Sequence, residues 1–198
     1  MSQEAPFRIV LIAAFVIFLG VMLNFRIRSW ASNEKLDRMQ EGLFILITLR
    51  LAGLALWAAV IAYMVNPRWM AWSSIALPSW ARWLGVLVYA ASIALLVWTL
   101  RNLGSNLTDT VVTRRDHTLV TEGPYRWVRH PFYGAAALLV LASALLAANW
   151  FVFLTGAAVL GLLALRTRIE EDRLIARFGD RYRSYMNGTA RFVPRWRS

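Results

Sequence analysis

The chain has 198 residues, 59% of them hydrophobic and 17% charged, with a formal net charge of +11. Soluble domains run at about 45–50% apolar residues, so the composition excludes an ordinary water-soluble fold. The absence of cysteine excludes disulfides, thiolate metal sites and cysteine nucleophiles, and two histidines are too few for a histidine-built metal centre, so no metal site is expected.

A membrane-spanning helix needs about 20 mostly apolar residues. Phe7 to Phe25 supplies the first such run. Glu4 precedes it and no small-residue cleavage motif follows, so it reads as a retained span and not a signal peptide. Leu43 to Val65 is the second run, interrupted by Arg50. Eight residues into a span is deep for snorkelling, and both a tilted helix end and an interior anion contact account for Arg50. Trp83 to Leu100 is the third run, just after Pro78 and Arg82. Phe132 to Ala148 and Trp150 to Leu165 are the fourth and fifth, separated only by Asn149. That junction predicts a helical hairpin with Asn149 and Trp150 at the far interface. Backbone groups in lipid must be satisfied internally, and no run shows the period-two alternation of a barrel strand. The expected fold class is therefore all-α: one polytopic membrane helical bundle over residues 1–198, with about five transmembrane helices and a cytoplasmic C-terminal helix. Residues 1–100 form the three N-terminal spans and 101–198 a functional core.

The basic residues give an orientation. Arginines crowd the segments 26–41 and 101–131 and the tail from Arg166, whereas the opposite side keeps Arg8, Arg68 and Arg82. The positive-inside rule then puts the N-terminus outside and the C-terminus in the cytoplasm, in a cell (inner) membrane. Charge placed beside apolar spans is explained by anionic lipid and topology, and no nucleic-acid module is visible. Trp69, Trp72 and Trp80 suit an interfacial aromatic belt.

Two polar stretches stand between and after the apolar runs. The first, HTLVTEGPYRWVRHPFYG, covers His117 to Gly134 and holds both histidines. Pro131 restricts His130 and favours a helix starting at Pro131, whose N-terminus beside Arg129 is suited to an anion. Anchoring of Arg129 and His130 at lipid headgroups accounts for the same residues. The second, RTRIEEDRLIARFGDRYRSY, covers Arg166 to Tyr185. Its apolar residues recur at helical spacing, with a break expected at Gly179. The three acids Glu170, Glu171 and Asp172 either pair locally with Arg166 and Arg173 or bind a ligand.

Taken together, GPYRWVRHPFYG (Gly123–Gly134), EEDRLIARFGDRYRSY (Glu170–Tyr185) and the closing RFVP (Arg191–Pro194) resemble the isoprenylcysteine carboxyl methyltransferase family and its relatives among phospholipid methyltransferases. The approach LGSNLTDTVVTRRDHTLVTEG, from Leu103 to Gly123, is similar as well, so the resemblance covers roughly the C-terminal half. It implies an integral membrane methyltransferase using S-adenosylmethionine, with a lipophilic small-molecule or lipid-anchored acceptor and membrane lipids as surroundings. Carried onto this chain, it makes His117, Leu119, Val120, Gly123, Tyr125, His130, Glu170 and Glu171 cofactor contacts. Arg129 and Arg191 are the groups facing the acceptor or the transfer centre. A sterol-reductase-like enzyme binding NADPH shares an Arg-His-Pro motif, but this chain has Phe132 after Pro131, Glu170-Glu171-Asp172, and no cysteine. A non-enzymatic membrane scaffold would explain the spans but not the ordered polar motifs. The acceptor and the oligomeric state are not encoded in any motif.

Overall fold

The computed structural model describes residues 4–30, 43–104 and 118–194. The described residues form six α-helices: α1 (Ala5–Trp30), α2 (Leu43–Val65), α3 (Ser79–Leu103), α4 (Pro131–Ala147), α5 (Trp150–Phe178) and α6 (Asp180–Gly188). Two short 3-10 helices, Pro67–Ser73 and Gly123–Arg126, lie between them. Among the described residues the only strand-like pairings are two isolated bridges. The expected all-α bundle is what forms, because long apolar runs outside water leave helical hydrogen bonding as the way to satisfy the backbone.

Helices α1, α2, α3 and α5 are long and apolar enough to cross a membrane. α4 has 17 residues, about 25 Å at 1.5 Å per residue, slightly short of a hydrocarbon core of about 30 Å. The outer surface is apolar: Ile9, Val16, Phe44, Leu54 and Leu87 all lie exposed. Such a surface needs lipid around it, and the chain is an integral membrane protein.

α4 sits at the centre, against α1, α2, α3 and α5, and packs most extensively with α3. Two glycines permit this. A Cβ on Gly85 of α3 would come within 3.1–3.2 Å of Leu145, Ala142 and Leu146 of α4, and one on Gly156 of α5 would overlap the Val140 side chain. Small residues at crossings let helix backbones approach closely.

The end of the bundle where α1 begins is tied by charge. Arg82 sits inside α3, which starts at Ser79 and not after Arg82 as the hydropathy suggests, and it is 5% exposed. It is a buried cross-link, not the loop arginine expected for topology. Its guanidinium donates to Glu4 Oε1 at 2.7 Å and Oε2 at 2.9 Å, to the Tyr63 hydroxyl at 2.9 Å, and to the Leu146 carbonyl at 2.7 Å. Leu146 lies in the last turn of α4, so Arg82 satisfies a carbonyl left open by the helix end. Asn149, at the α4–α5 junction, is also buried. Its side chain caps α5 at Val152 N and donates to Met70 O and Ser73 Oγ, which clamps the α4–α5 hairpin to the 3-10 helix. Arg50 lies on the exposed face of α2.

Candidate functional site

At the opposite end of the bundle, the start of α4 meets the polar extension of α5. The apolar part of α5 ends at Leu165, and the helix continues through Arg166 to Phe178. Gly179, with φ +56°, closes it with Gly179 N donating to Ile175 O at 2.8 Å, and α6 starts at Asp180. A positive φ is what glycine adopts at little cost. α6 folds back and buries Tyr182. From Thr189 the chain turns extended and runs beside the residues that precede α4. Arg129 N donates to Ala190 O at 2.8 Å and His130 N to Arg191 O at 3.1 Å. His130 is non-helical at φ −125°, ψ 61°, as a residue before proline must be, and α4 begins at Pro131.

These three segments converge on Glu171, which is 2% exposed. Its Oε1 accepts from Arg129 Nε at 2.9 Å and Arg191 Nε at 3.2 Å, and lies 3.1 Å from His130 Nε2. Its Oε2 accepts from Arg191 Nη2. Burial pushes the Glu171 carboxyl up, but the hydrogen bonds from His130, Arg191 and Arg129 outweigh it and hold the group down at about 2. Arg129 is spent elsewhere too: its Nη1 donates to the Met186 and Thr189 carbonyls, and its side chain is 8% exposed. Arg191 keeps a side chain that is 37% exposed.

Glu170, the neighbouring carboxylate, faces a different way and is 32% exposed in its side chain. Its Oε2 accepts from the Tyr133 hydroxyl at 2.9 Å and lies 3.9 Å from His130 Nδ1. The Tyr133 ring stacks on His130 with centroids 5.5 Å apart and planes 8° apart, and Phe192 flanks both rings. The result is a partly open carboxylate beside an aromatic wall, set on a buried ionic hub.

Of the residues expected at a site, Arg129, His130, Glu170, Glu171 and Arg191 come together here. Tyr125 is buried and joins through its carbonyl, which accepts from Tyr185 Oη at 2.5 Å. Gly123 (φ +59°) packs against Asn102 of α3, where a Cβ would overlap the amide, so this glycine fits the 3-10 helix to α3. Leu119 and Val120 are half-buried on the approach to it. His117 lies outside the described residues. Tyr133, which the first polar stretch offers beside Tyr125, and Phe192, which was not in the expected set, complete the wall. The signal for Phe192 was faint: an aromatic directly after Arg191.

Comparison with known proteins gives this geometry a context. The family model for isoprenylcysteine carboxyl methyltransferase (ICMT) matches residues 83–176. A protein-S-isoprenylcysteine O-methyltransferase of Schizosaccharomyces pombe is 33% identical over 94 residues, 46% of this chain and 40% of that protein. One of Dictyostelium discoideum is 26% identical over 186 residues, 91% of this chain and 77% of that protein. A methanethiol S-methyltransferase of Mycobacterium tuberculosis is 33% identical over 70 residues, 35% of this chain and 28% of that protein. The chain thus spans well under half the length of two of these three relatives. The solved structure of a eukaryotic intramembrane Ras methyltransferase, ICMT, superposes with a TM-score of 0.53 at 24% identity, over 73% of this chain and 51% of that one, which shows a shared fold. The stretch that matches the isoprenylcysteine carboxyl methyltransferase family model, residues 83–176, holds Arg129, His130, Glu170 and Glu171 of the hub.

Proposed function

We propose that this protein is an integral membrane methyltransferase that uses S-adenosylmethionine and methylates a lipophilic acceptor bearing a carboxylate, of the isoprenylcysteine kind. The observation that carries the reading is the Glu171 hub. Three sequence-distant segments, at 129–130, 170–171 and 191, are drawn to one buried carboxylate at one end of the bundle. A scaffold has no need of that convergence.

The donor set fits the cofactor. Glu170 is open enough to accept from ribose hydroxyls or an ammonium, and the Tyr133 hydroxyl fixes the direction of its oxygens. His130, Tyr133 and Phe192 offer flat apolar surface for a purine. S-adenosylmethionine supplies a methyl group already activated on a sulfonium. What remains for the protein is alignment of donor and acceptor and exclusion of water. In this assignment Glu170 is the cofactor-binding carboxylate, with Tyr125, Gly123, Leu119, Val120 and His117 along the approach. Glu171 and Arg129 are positioning residues. Arg191, the more exposed arginine, faces the acceptor, where its fork matches a carboxylate.

The state of the hub supports a carboxylate acceptor over an amine or phenol. An amine or phenol must lose a proton, and in this assignment the candidates for accepting it are engaged: Glu171 is held down at about 2, His130 lies 3.1 Å from it, and Glu170 is given to the cofactor. A carboxylate is ionised at neutral pH and needs no base. The residues act as one membrane domain, with 1–100 as frame and 101–198 as cofactor-binding core. The arginine distribution supports a site at the cytoplasmic face of the cell (inner) membrane with the N-terminus outside.

Calorimetric titration of detergent-purified protein with S-adenosylhomocysteine and, separately, NADPH tests this. Binding of the first alone is expected. Binding of NADPH alone moves the chain to the reductase chemistry, and binding of neither by folded protein returns it to a non-enzymatic role. A prenylcysteine with a free carboxylate should then accept label from the cofactor, whereas its carboxamide should not.

A further inference from the structure

A groove of about 330 Å³ lies between α1 and α3, away from the Glu171 hub, lined by Gly20, Val21, Asn24, Phe25, Val97 and Arg101. Its chemistry changes along its length. α1 and α3 run in the same direction, as both begin at the Glu4–Arg82 pair. Asn24 therefore lies nearer the site end than Gly20, and Arg101 nearer than Val97. The polar groups sit at the mouth of the groove and Val21, Val97 and the space beside Gly20 lie deeper in the membrane. A methyl added to Gly20 would touch nothing within 4 Å, so that space is open. Arg101 is in the last turn of α3 and exposed, and among the described residues none is recorded in a hydrogen bond or ion pair with it.

We propose that this groove binds an anionic phospholipid, with its phosphate on Arg101 and Asn24 and one acyl chain along Gly20, Val21, Phe25 and Val97. An amphiphile with a negative head and an apolar tail matches both ends of the groove at once. An arginine at the membrane surface attracts an anionic headgroup by about 1 kcal/mol, roughly a fivefold preference. The groove is not a passage to the hub. Val21 and Phe25 back onto a packed layer of Leu96, Leu100 and Ala135, with Phe132 of α4 against the same layer. A chain seated in the groove would brace that layer from the α1 side, directly behind Phe132 and its neighbour Tyr133. The inference stands on the groove alone and does not depend on the methyl-transfer reading.

The test is native mass spectrometry of the full chain, delipidated in detergent and offered dioleoylphosphatidylglycerol or dioleoylphosphatidylcholine. Phosphatidylglycerol should be retained about fivefold better. Arg101→Gln should remove that preference and Arg101→Lys should restore it. Gly20→Leu should lower the retention of both lipids by filling the groove. Arg126, an exposed arginine at the same end that stacks on Trp127, serves as control, and Arg126→Gln should change nothing. Equal retention of the two lipids, or an equal loss in Arg126→Gln and Arg101→Gln, would overturn the proposal. So would displacement of bound phosphatidylglycerol by a farnesylcysteine analogue, which would give the groove to the acceptor.

Discussion

Glu170 and Glu171 are adjacent and chemically identical, yet a helix turns about 100° between them. That turn puts one against two arginines and a histidine and leaves the other beside Tyr133 with a third of its side chain open. The two neutral variants should therefore fail differently. Glu170→Gln removes a charge-assisted acceptor worth about 1.5–3 kcal/mol, so S-adenosylhomocysteine affinity should fall about 10- to 100-fold at an unchanged melting temperature. Glu171→Gln leaves the buried Arg129 facing a neutral amide and takes the partner from the half-exposed Arg191, a loss of about 3 kcal/mol, so melting temperature and binding should fall together. Calorimetry combined with a thermal melt separates the two, and a Glu171→Gln protein with wild-type stability would remove the hub from the argument. Acid makes the same point. The folded carboxyl of Glu171 sits at about 2 against an ordinary 4.5, so its contribution is complete above 4.5 and drains away as pH falls towards 2. Melting temperature followed downward from pH 6 should decline below about 4.5, and by less in Glu171→Gln than in the wild type.

Helix boundaries at this end were legible because local chemistry sets them. Pro131 starts α4 and Gly179 ends α5, and each acts through its own backbone restriction. The opposite end was not legible. Arg82 finds Glu4 and Leu146 at separations of 78 and 64 residues, and no local pattern marks a buried arginine apart from a topogenic one. Hydropathy penalises both alike, which is why the third span was expected to begin after it. The role of Gly156 was similarly hidden, since a small residue in an apolar run does not announce which neighbour it meets. Gly156→Leu would drive a side chain into Val140 and part α5 from α4, at about 1–3 kcal/mol. Arg82→Leu would strip α4 of its terminal carbonyl partner and leave Glu4 without its cation, at about 3 kcal/mol. Both should lower the melting temperature in detergent. Arg82→Leu, at the end away from the hub, should leave S-adenosylhomocysteine affinity in the surviving folded protein within about twofold.

Across the whole molecule the bundle and the site are held by different physics. The helices are placed by apolar surface and close glycine crossings, which need nothing from the residues after Gly188. The site is closed by backbone: Arg129 and His130 donate their amides to Ala190 and Arg191, and this pairing aims Arg191 at Glu171 and Phe192 at His130. Such a pairing has no side-chain signature, so the sequence marks Arg191 as a member of a motif without revealing that its own carbonyl orients His130. The two roles of the 189–191 segment, one through main chain and one through side chain, can be pulled apart. Arg191→Ala should keep the backbone pairing and lose only the Glu171 contact and the acceptor-facing cation. Cofactor affinity should then fall about tenfold or less, while methyl transfer falls further. Ending the chain after Gly188 removes both. Arg129 and His130 would lose their backbone acceptors, Arg129 would also lose the Thr189 carbonyl, and the aromatic wall would lose Phe192. The truncated protein should still insert as a helical bundle, with wild-type helicity by circular dichroism, because the spans and their crossings are intact. It should bind no S-adenosylhomocysteine at concentrations that saturate the full chain. If it bound normally, the extended segment would be a cover and not a wall, and the cofactor would have to rest on α4 and α5 alone.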